Sequence, residues 1–116
     1  MNYFTLSAAA VFASLQFLSA QPCWTSVAAS EFHTTALGSN GTVWSWGGNN
    51  VGQLGNGNNF PVYTPIQTGT DSDWREITCG RHHVLAIKTN GTLWAWGNNT
   101  YGELGNGNNT NTNVPV

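Results

Sequence analysis

One tract of sixteen residues occurs twice in this chain, and this repetition limits the possible folds more than any other feature. It occupies 44–59 and 94–109, and its first copy reads Trp-Ser-Trp-Gly-Gly-Asn-Asn-Val-Gly-Gln-Leu-Gly-Asn-Gly-Asn-Asn. The offset of 50 residues extends beyond the tract, because 24–66 aligns with 74–116 without a gap and gives 18 identical residues among 43. A fixed period of this size predicts a repeat protein whose units bury their apolar faces against one another.

The charge of the chain excludes one broad class of partner. It has three Lys and Arg residues against five Asp and Glu residues, and a net charge of −2. Binding to a phosphate backbone by charge neutralisation needs several clustered Lys or Arg residues. We therefore expect no nucleic-acid partner.

Residues 1–20 differ from the rest of the chain. The stretch 6–18 is mostly Ala, Val, Phe and Leu, and the small residues Ser19 and Ala20 follow it. This pattern predicts a helical leader that acts as a secretory signal peptide cut after Ala20, and hence a secreted, periplasmic or cell-surface protein. A buried N-terminal helix is the alternative, because no Lys or Arg precedes the apolar stretch. No membrane span is expected, since the stretch is short and includes Ser14 and Gln16.

Each repeat is predicted to contain four short strands. In the first repeat they lie at 27–30, 33–37 and 42–46 and around Ile66, and the second repeat follows the same order. Asn40-Gly41 and Asn90-Gly91 connect the second and third strands, and Asn-Gly between apolar runs predicts a hairpin with a type I′ turn. Four short strands in a unit of this length are typical of a β-propeller blade.

Three spaced motifs carry a family resemblance. A His-Thr step at 33–34, a Gly-to-Trp-Gly hairpin at 41–47 and a Gly-Gln-Leu-Gly-Asn-Gly turn at 52–57 recur at 80–83, 91–97 and 102–107. This combination resembles the repeats of the regulator of chromosome condensation family. The departures are Ser30 in place of a glycine, Val84 in place of a hydroxyl residue and Glu103 in place of glutamine.

The resemblance implies an all-β fold in which each repeat is one blade of four antiparallel strands in a seven-bladed propeller. The first repeat would span 24–73 and the second 74–116. Two blades do not close a ring, so we expect further repeats to be needed and interpret the sequence as part of a longer protein. Assembly of several short chains into one ring is the alternative.

We predict a structural role for the residues that hold equivalent positions in the two repeats. The Trp pairs lie at i and i+2 of a strand, so both rings of each pair reach one face. The leucines would fill the glycine turns. The full set is His33, Gly41, Trp44, Trp46, Gly47, Gly52, Leu54, Gly55, Gly57, His83, Gly91, Trp94, Trp96, Gly97, Gly102, Leu104, Gly105 and Gly107.

No pattern in the sequence predicts catalysis, a cofactor or a metal ion. His33 and His83 are equivalent in the two repeats, which favours a ring hydrogen bond to a neighbouring turn over metal ligation. Cys23 and Cys79 are not equivalent, and we expect free buried thiols, with a disulfide as the alternative. The five carboxylates are scattered, and no serine lies in a nucleophile-elbow context.

The function that the resemblance favours is a non-catalytic, exported scaffold that binds an unknown protein partner or a ligand through loops on the propeller. The alternative is a guanyl-nucleotide exchange factor for a small GTPase, which is the activity of the family's founding member. A third possibility is a tryptophan-based light sensor like the plant ultraviolet-B photoreceptor, against which the scarcity of Arg counts.

Overall fold

The computed structural model describes residues 22–116, and the predicted leader with its cleavage site lies outside the described residues. Within 22–116 there are seven strands and no helix. All paired strands are antiparallel, so the predicted all-β class is confirmed for this part of the chain. In chain order the strands are β1 (Trp24–Ala29), β2 (His33–Gly38), β3 (Val43–Gly47), β4 (Val62–Gln67), β5 (Trp74–Cys79), β6 (His83–Lys88) and β7 (Leu93–Gly97).

The strands form one sheet per repeat. The first sheet has the order β1-β2-β3-β4, and the second has the order β5-β6-β7. A shorter pairing occupies the fourth position of the second sheet: Gly97 and Thr112 form a β-bridge, and Ala95 and Val116 exchange two backbone hydrogen bonds of 3.0 Å. The predicted four strands are therefore complete in the first repeat and reduced to three strands plus this pairing in the second.

The two faces of each sheet differ in the side chains that they carry. Strands β2 and β3 pair so that Thr35 lies opposite Ser45 and Ala36 lies opposite Trp44. Because successive side chains in a strand alternate between faces, this register separates two sets. We call the front face the one that carries His33, Thr35, Leu37, Val43, Ser45 and their counterparts 50 residues later, and the back face the one that carries Ala36, Trp44, Trp46 and their counterparts.

The core forms where the front face of the first sheet meets the back face of the second. Trp96 is fully buried and Trp74 is 3% exposed, and both belong to the second sheet. They pack with side chains of the first sheet in a single apolar cluster of buried residues, as blades of a propeller do. The cluster consists of Leu37, Val43, Trp74, Val84, Ala86 and Trp96.

The prediction of type I′ turns was wrong. The carbonyl of Gly38 accepts a hydrogen bond of 3.0 Å from the amide of Gly41, and the amide of Gly38 donates one of 2.8 Å to the carbonyl of Thr42. Among the described residues no non-glycine residue has a positive φ, whereas Gly41 has a φ of 79°. This pattern is a three-residue loop, in which a type I turn is followed by a left-handed glycine.

The side chain of Asn40 explains the difference. Its Oδ1 accepts hydrogen bonds from the amide of Thr42 at 3.3 Å and from the hydroxyl of Thr42 at 2.6 Å. The hydroxyl in turn accepts a hydrogen bond of 2.9 Å from the indole of Trp44. Asparagine therefore serves this turn through its amide group rather than through a left-handed backbone. Asn90, Thr92 and Trp94 repeat the same arrangement.

Candidate binding site between the two repeats

A buried asparagine organises the glycine-rich loop of each repeat. Asn49 is 1% exposed, and its Oδ1 accepts a hydrogen bond of 3.0 Å from the amide of Leu54. Its Nδ2 donates to the carbonyls of Asn58 and Phe60, both at 2.9 Å. Because all these groups belong to one loop, the loop holds its shape through local hydrogen bonds.

Asn99 does the same work in the second repeat. Its Oδ1 accepts from the amide of Leu104 at 3.0 Å, and its Nδ2 donates to the carbonyls of Asn108 and Thr110. Sequence reasoning did not single out Asn49 or Asn99. Both are identical members of the repeated tract, so the repeat itself carried the signal that would have found them.

The predicted leucines lie inside these loops, and their surroundings differ. Leu54 is fully buried, and its carbonyl accepts hydrogen bonds from the hydroxyls of Ser45 at 2.8 Å and Thr68 at 2.9 Å. Leu104 is 8% exposed. In the second repeat Ala95 replaces the serine and offers no hydroxyl to the Leu104 carbonyl.

The predicted tryptophans lie on the back faces, where their environments differ. Trp94 and Trp96 pack around Trp74, with ring centroids 6.1 Å and 5.9 Å from it. The indole of Trp96 donates a hydrogen bond of 3.1 Å to the carbonyl of Gln53 in the first repeat. Trp44 and Trp46 are only half-buried. The rings thus fill the space between the sheets only where the other sheet is present.

The predicted glycines make close approaches at the loop that meets Trp96. Gly55 has a φ of 66°, and a Cβ there would lie 2.7 Å from the indole nitrogen of Trp96. Gly105 has a φ of 67°, but a Cβ there would meet no described atom within 4 Å. The remaining predicted glycines with a positive φ are Gly41, Gly47, Gly52, Gly57, Gly91, Gly97, Gly102 and Gly107.

The two predicted histidines occupy equivalent front-face positions. His33 is 2% exposed, and its Nδ1 shares a hydrogen bond of 2.7 Å with the hydroxyl of Ser30. Burial, assisted by the neighbouring His82 and His83, lowers the pKa of His33 to about 4. His83 is half-buried, and its ring lies where a Cβ on Gly80 would be. The serine in place of the family glycine therefore gives His33 its hydrogen-bond partner.

The cysteines are both free. Cys23 is exposed, contrary to the expected burial, because it precedes β1 at the uncovered side of the first sheet. Cys79 is half-buried, and its thiol lies 3.5 Å from the carbonyl oxygen of Ala28. Burial raises the pKa of the Cys79 thiol, against an opposing contribution from hydrogen bonding with Thr35.

Lys88 is a buried cation that sequence reasoning did not single out. Its side chain is enclosed by the rings of Trp74 and Trp94, at 4.8 Å and 4.5 Å from their centroids, which is cation–π geometry. Its ammonium group forms an ion pair of 2.7 Å with Asp71, and this hydrogen bond raises the pKa of Lys88. Gly38 holds the equivalent position in the first repeat, so no sequence repetition pointed to this contact.

A cleft of ≈ 330 Å³ lies between the two repeats, next to an aromatic pair. The rings of Phe32 and His82 are stacked 5.1 Å apart with an angle of 11° between their planes. Phe32 precedes β2 and His82 precedes β6, so the two loops that lead into equivalent strands bring the rings together. The cleft is lined by Phe32, Gly48, Asn49, Asn50, Asn59, Pro61 and His82.

An ion pair borders the aromatic stack. Arg81 Nε lies 2.7 Å from a carboxylate oxygen of Glu31, and the guanidinium carbon lies 5.9 Å from the centroid of Phe32. Both charged side chains are more than half exposed. The pair joins the first repeat to the second, and exposure limits its contribution to stability.

The described residues supply little for chemistry beyond binding. No three His, Cys, Asp or Glu side chains between residues 22 and 116 are grouped so that they could hold a metal ion. No helix in this range is long and apolar enough to cross a membrane. The cleft therefore offers an apolar and aromatic surface with neutral amide groups, which is the chemistry of a binding site.

Solved structures share this architecture. The crystal structure of human WBSCR16 matches with a TM-score of 0.75 and 28% identity, over 82% of this chain and 25% of that one. Prp20p from Saccharomyces cerevisiae, described with its binding properties to Gsp1p and histones, matches with a TM-score of 0.72 and 23% identity over 82% and 25%. Yeast RCC1 (Prp20) bound to Kap60 matches with a TM-score of 0.74 and 22% identity over 82% and 24%.

The chain thus spans about a quarter of the length of these structures. The likeness to the two yeast structures establishes the fold alone. No curated protein matches the chain.

Two family models match the sequence itself, and both describe the regulator of chromosome condensation (RCC1) repeat. One matches residues 40–87, and the other matches 24–53 and 74–103. The second model thus covers the start of each repeat, including the three strands that the two sheets have in common. The chain belongs to the regulator of chromosome condensation (RCC1) repeat family.

Proposed function

We propose that this chain is part of a non-catalytic scaffold that binds a protein partner in the cleft between its two repeats. The observation that carries the proposal is the cleft itself, which has an exposed aromatic ring, Phe32, stacked on His82. Phe32 is 48% exposed, so a large apolar surface is presented to solvent beside the cleft. Aromatic side chains in pre-formed hollows are typical anchors of protein interfaces.

The rim of the cleft is already held in place. Asn50 Oδ1 accepts a hydrogen bond from Gln53, and its carbonyl accepts one from Asn59. Asn59 Oδ1 accepts a further hydrogen bond of 3.0 Å from Asn113 of the second repeat. Because these polar groups have partners within the chain, a ligand does not have to order them, and little conformational entropy is lost on binding.

The charges favour a protein segment with apolar or aromatic side chains over an anionic polymer. Each of the three cations lies in an ion pair: Arg75 with Glu76, Arg81 with Glu31, and Lys88 with Asp71. A phosphate backbone needs several unpaired cations on one surface. The neighbouring structures of Prp20p and yeast RCC1 were described with protein partners, which supports the same class here.

Selection of peptides from a displayed random library tests the proposed site. Peptides that bind the chain should contain aromatic or apolar residues, and Phe32→Ser should weaken their binding by more than about tenfold in calorimetry. Tyr101→Ser is the matched control, because Tyr101 is 90% exposed and lies outside the cleft. Selected peptides that bind the Phe32→Ser variant as well as the original chain would show that the cleft is not the site.

Export is a separate part of the proposal. It is supported by the apolar stretch 6–18 and the small residues before Gln21. Mass spectrometry of the mature protein should find a first residue at or near Gln21 in the exported fraction. Full-length protein that stays in the cytoplasm would contradict this part and would leave the binding proposal standing.

A further inference from the structure

One face of each sheet has no neighbour within the described residues. On the front face of the second sheet Leu93 is 64% exposed, whereas its counterpart Val43 is fully buried. On the back face of the first sheet Trp24 is 38% exposed, whereas its counterpart Trp74 is 3% exposed. The two uncovered faces are of opposite kinds, and they are the same two kinds that already pack together between the sheets.

The uncovered front face has the apolar shape that its counterpart uses. It holds a cavity of ≈ 200 Å³ whose lining includes Leu85, Ile87 and Leu93. The equivalent positions of the first sheet are Thr35, Leu37 and Val43, and Leu37 and Val43 pack against Trp74 and Trp96. Three apolar side chains thus stand where the first sheet needs only two.

The glycine loops show that the space for a tryptophan is present. Gly55 lies under Trp96, so close that a Cβ would come within 2.7 Å of the indole nitrogen. Gly105 has the same backbone conformation, with a φ of 67°, and is exposed. On the other uncovered face Trp46, the counterpart of Trp96, is half-buried. The indole of Trp46 and the space over Gly105 therefore match each other.

The polar contacts between the sheets would reproduce themselves in a further copy of the interface. Glu31 pairs with Arg81, and Phe32 stacks on His82, and in each pair the partners are 50 residues apart. A shift of the interface by one repeat therefore sets Arg81 against Glu31 of another copy and His82 against its Phe32. Opposite charges meet again, and aromatic rings meet again.

We propose that the uncovered front face of the second sheet binds the uncovered back face of the first sheet of a second copy of this chain. The contact is head-to-tail, so it uses a different surface on each partner and extends into rings or rows of more than two copies. The inference rests on the repeat fold and does not depend on the peptide-binding cleft. A repeat supplied by another protein, or by further sequence of the same protein, is the competing occupant.

Sedimentation velocity of residues 1–116 from about 1 µM to about 500 µM tests the proposal. We expect species larger than a dimer that increase with concentration. Leu93→Glu on the front face and Val27→Glu on the back face should each weaken assembly by more than about tenfold, because each places an unpaired carboxylate in an apolar contact. Val27 is 59% exposed in the single chain, so both changes leave its core intact.

Mixing the two variants gives the sharpest result. The Leu93→Glu chain keeps its back face and the Val27→Glu chain keeps its front face, so an equal mixture should form one interface and stop at a heterodimer. Phe60→Glu is the control, because Phe60 is 74% exposed and its counterpart Thr110 accepts its hydrogen bond within the second repeat. Thr78→Glu, also exposed on the front face, replaces Leu93→Glu if the urea midpoint of that variant falls.

Three results would overturn the proposal. A chain that stays monomeric over the whole concentration range assigns the face to a different repeat. Assembly that both variants leave unchanged assigns it to another surface. A closed dimer that either single variant abolishes, and that mixing does not restore, shows a symmetric contact rather than a head-to-tail one.

Discussion

The two repeats share their local hydrogen bonds and differ in what covers them. The Asn-Gly-Thr hairpins and the loops around Asn49 and Asn99 are the same in both copies, almost bond for bond. The exposure of equivalent side chains, by contrast, differs greatly. Val43 is fully buried and Leu93 is 64% exposed, although both begin the third strand of their sheet.

The difference shows that burial here follows position in the stack of sheets. The first sheet has its front face covered, and the second sheet has its back face covered. Front-face residues such as His33 are therefore buried only in the first repeat, and back-face residues such as Trp96 are fully buried only in the second. A substitution should have unequal effects in the two repeats wherever its cost comes from the interface, and equal effects wherever it comes from the loop.

The largest expected effect is at the back-face tryptophans. Trp96→Ala should lower the free energy of unfolding by about 3–5 kcal/mol, because it removes a fully buried ring and leaves a cavity. Trp46→Ala should cost less than half as much, since Trp46 has solvent on one side. Urea unfolding of both variants measures the difference. Equal losses would break the comparison and would show that the first sheet's back face is covered in solution.

Gly55→Ala and Gly105→Ala separate backbone strain from packing. Both glycines have a left-handed φ, so each substitution should cost about 1–2 kcal/mol. At Gly55 the new methyl group also meets the indole of Trp96, which adds about 1–3 kcal/mol. Urea unfolding should therefore place Gly55→Ala clearly below Gly105→Ala in stability. In a Trp96→Ala background the two substitutions should become alike.

Acid should destabilise the chain through His33. Its pKa falls from 6.5 to about 4 in the folded protein, so the unfolded chain binds a proton that the folded chain refuses between these values. The contribution is fully present above about pH 6.5 and is lost as the pH falls towards about 4, by about 3 kcal/mol in total. Urea midpoints measured from pH 7.5 to 4 should show this loss. A His33→Gln variant that declines by the same amount would show that another group is responsible.

The smallest expected effect is in the loops, where the repeats should agree. Asn58 Oδ1 accepts a hydrogen bond of 3.0 Å from the amide of Phe60, and Asn108 Oδ1 accepts one of 2.9 Å from the amide of Thr110. Asn58→Ala and Asn108→Ala should each cost about 0.5–1.5 kcal/mol, the usual net value of one hydrogen bond. Thermal or urea unfolding of the pair measures this. A difference larger than about 1 kcal/mol would mean that one loop has a partner that the hydrogen bonds within the chain do not explain.

The binding site was beyond the reach of the sequence, although the fold was not. The three motifs predicted the family and the antiparallel all-β class because each is a short segment whose residues contact one another. The cleft joins Phe32 to His82, which belong to different repeats and differ in kind. No repeated pattern identifies such a pair, since repetition reveals only what both copies have in common. For the same reason Lys88, whose counterpart is Gly38, escaped prediction.

The sequence by itself determined the number of repeats, the places of the hairpins and the glycine-rich loops of this protein. These features depend on contacts between residues a few positions apart, such as Asn40 with Thr42, and local chemistry is sufficient to specify them. Only the tertiary structure decided which turn type the hairpins adopt, which histidine is buried and which tryptophan is enclosed. Those outcomes depend on how the chain satisfies its hydrogen bonds in three dimensions and on which face of each sheet meets another, and residues about fifty positions apart settle the latter.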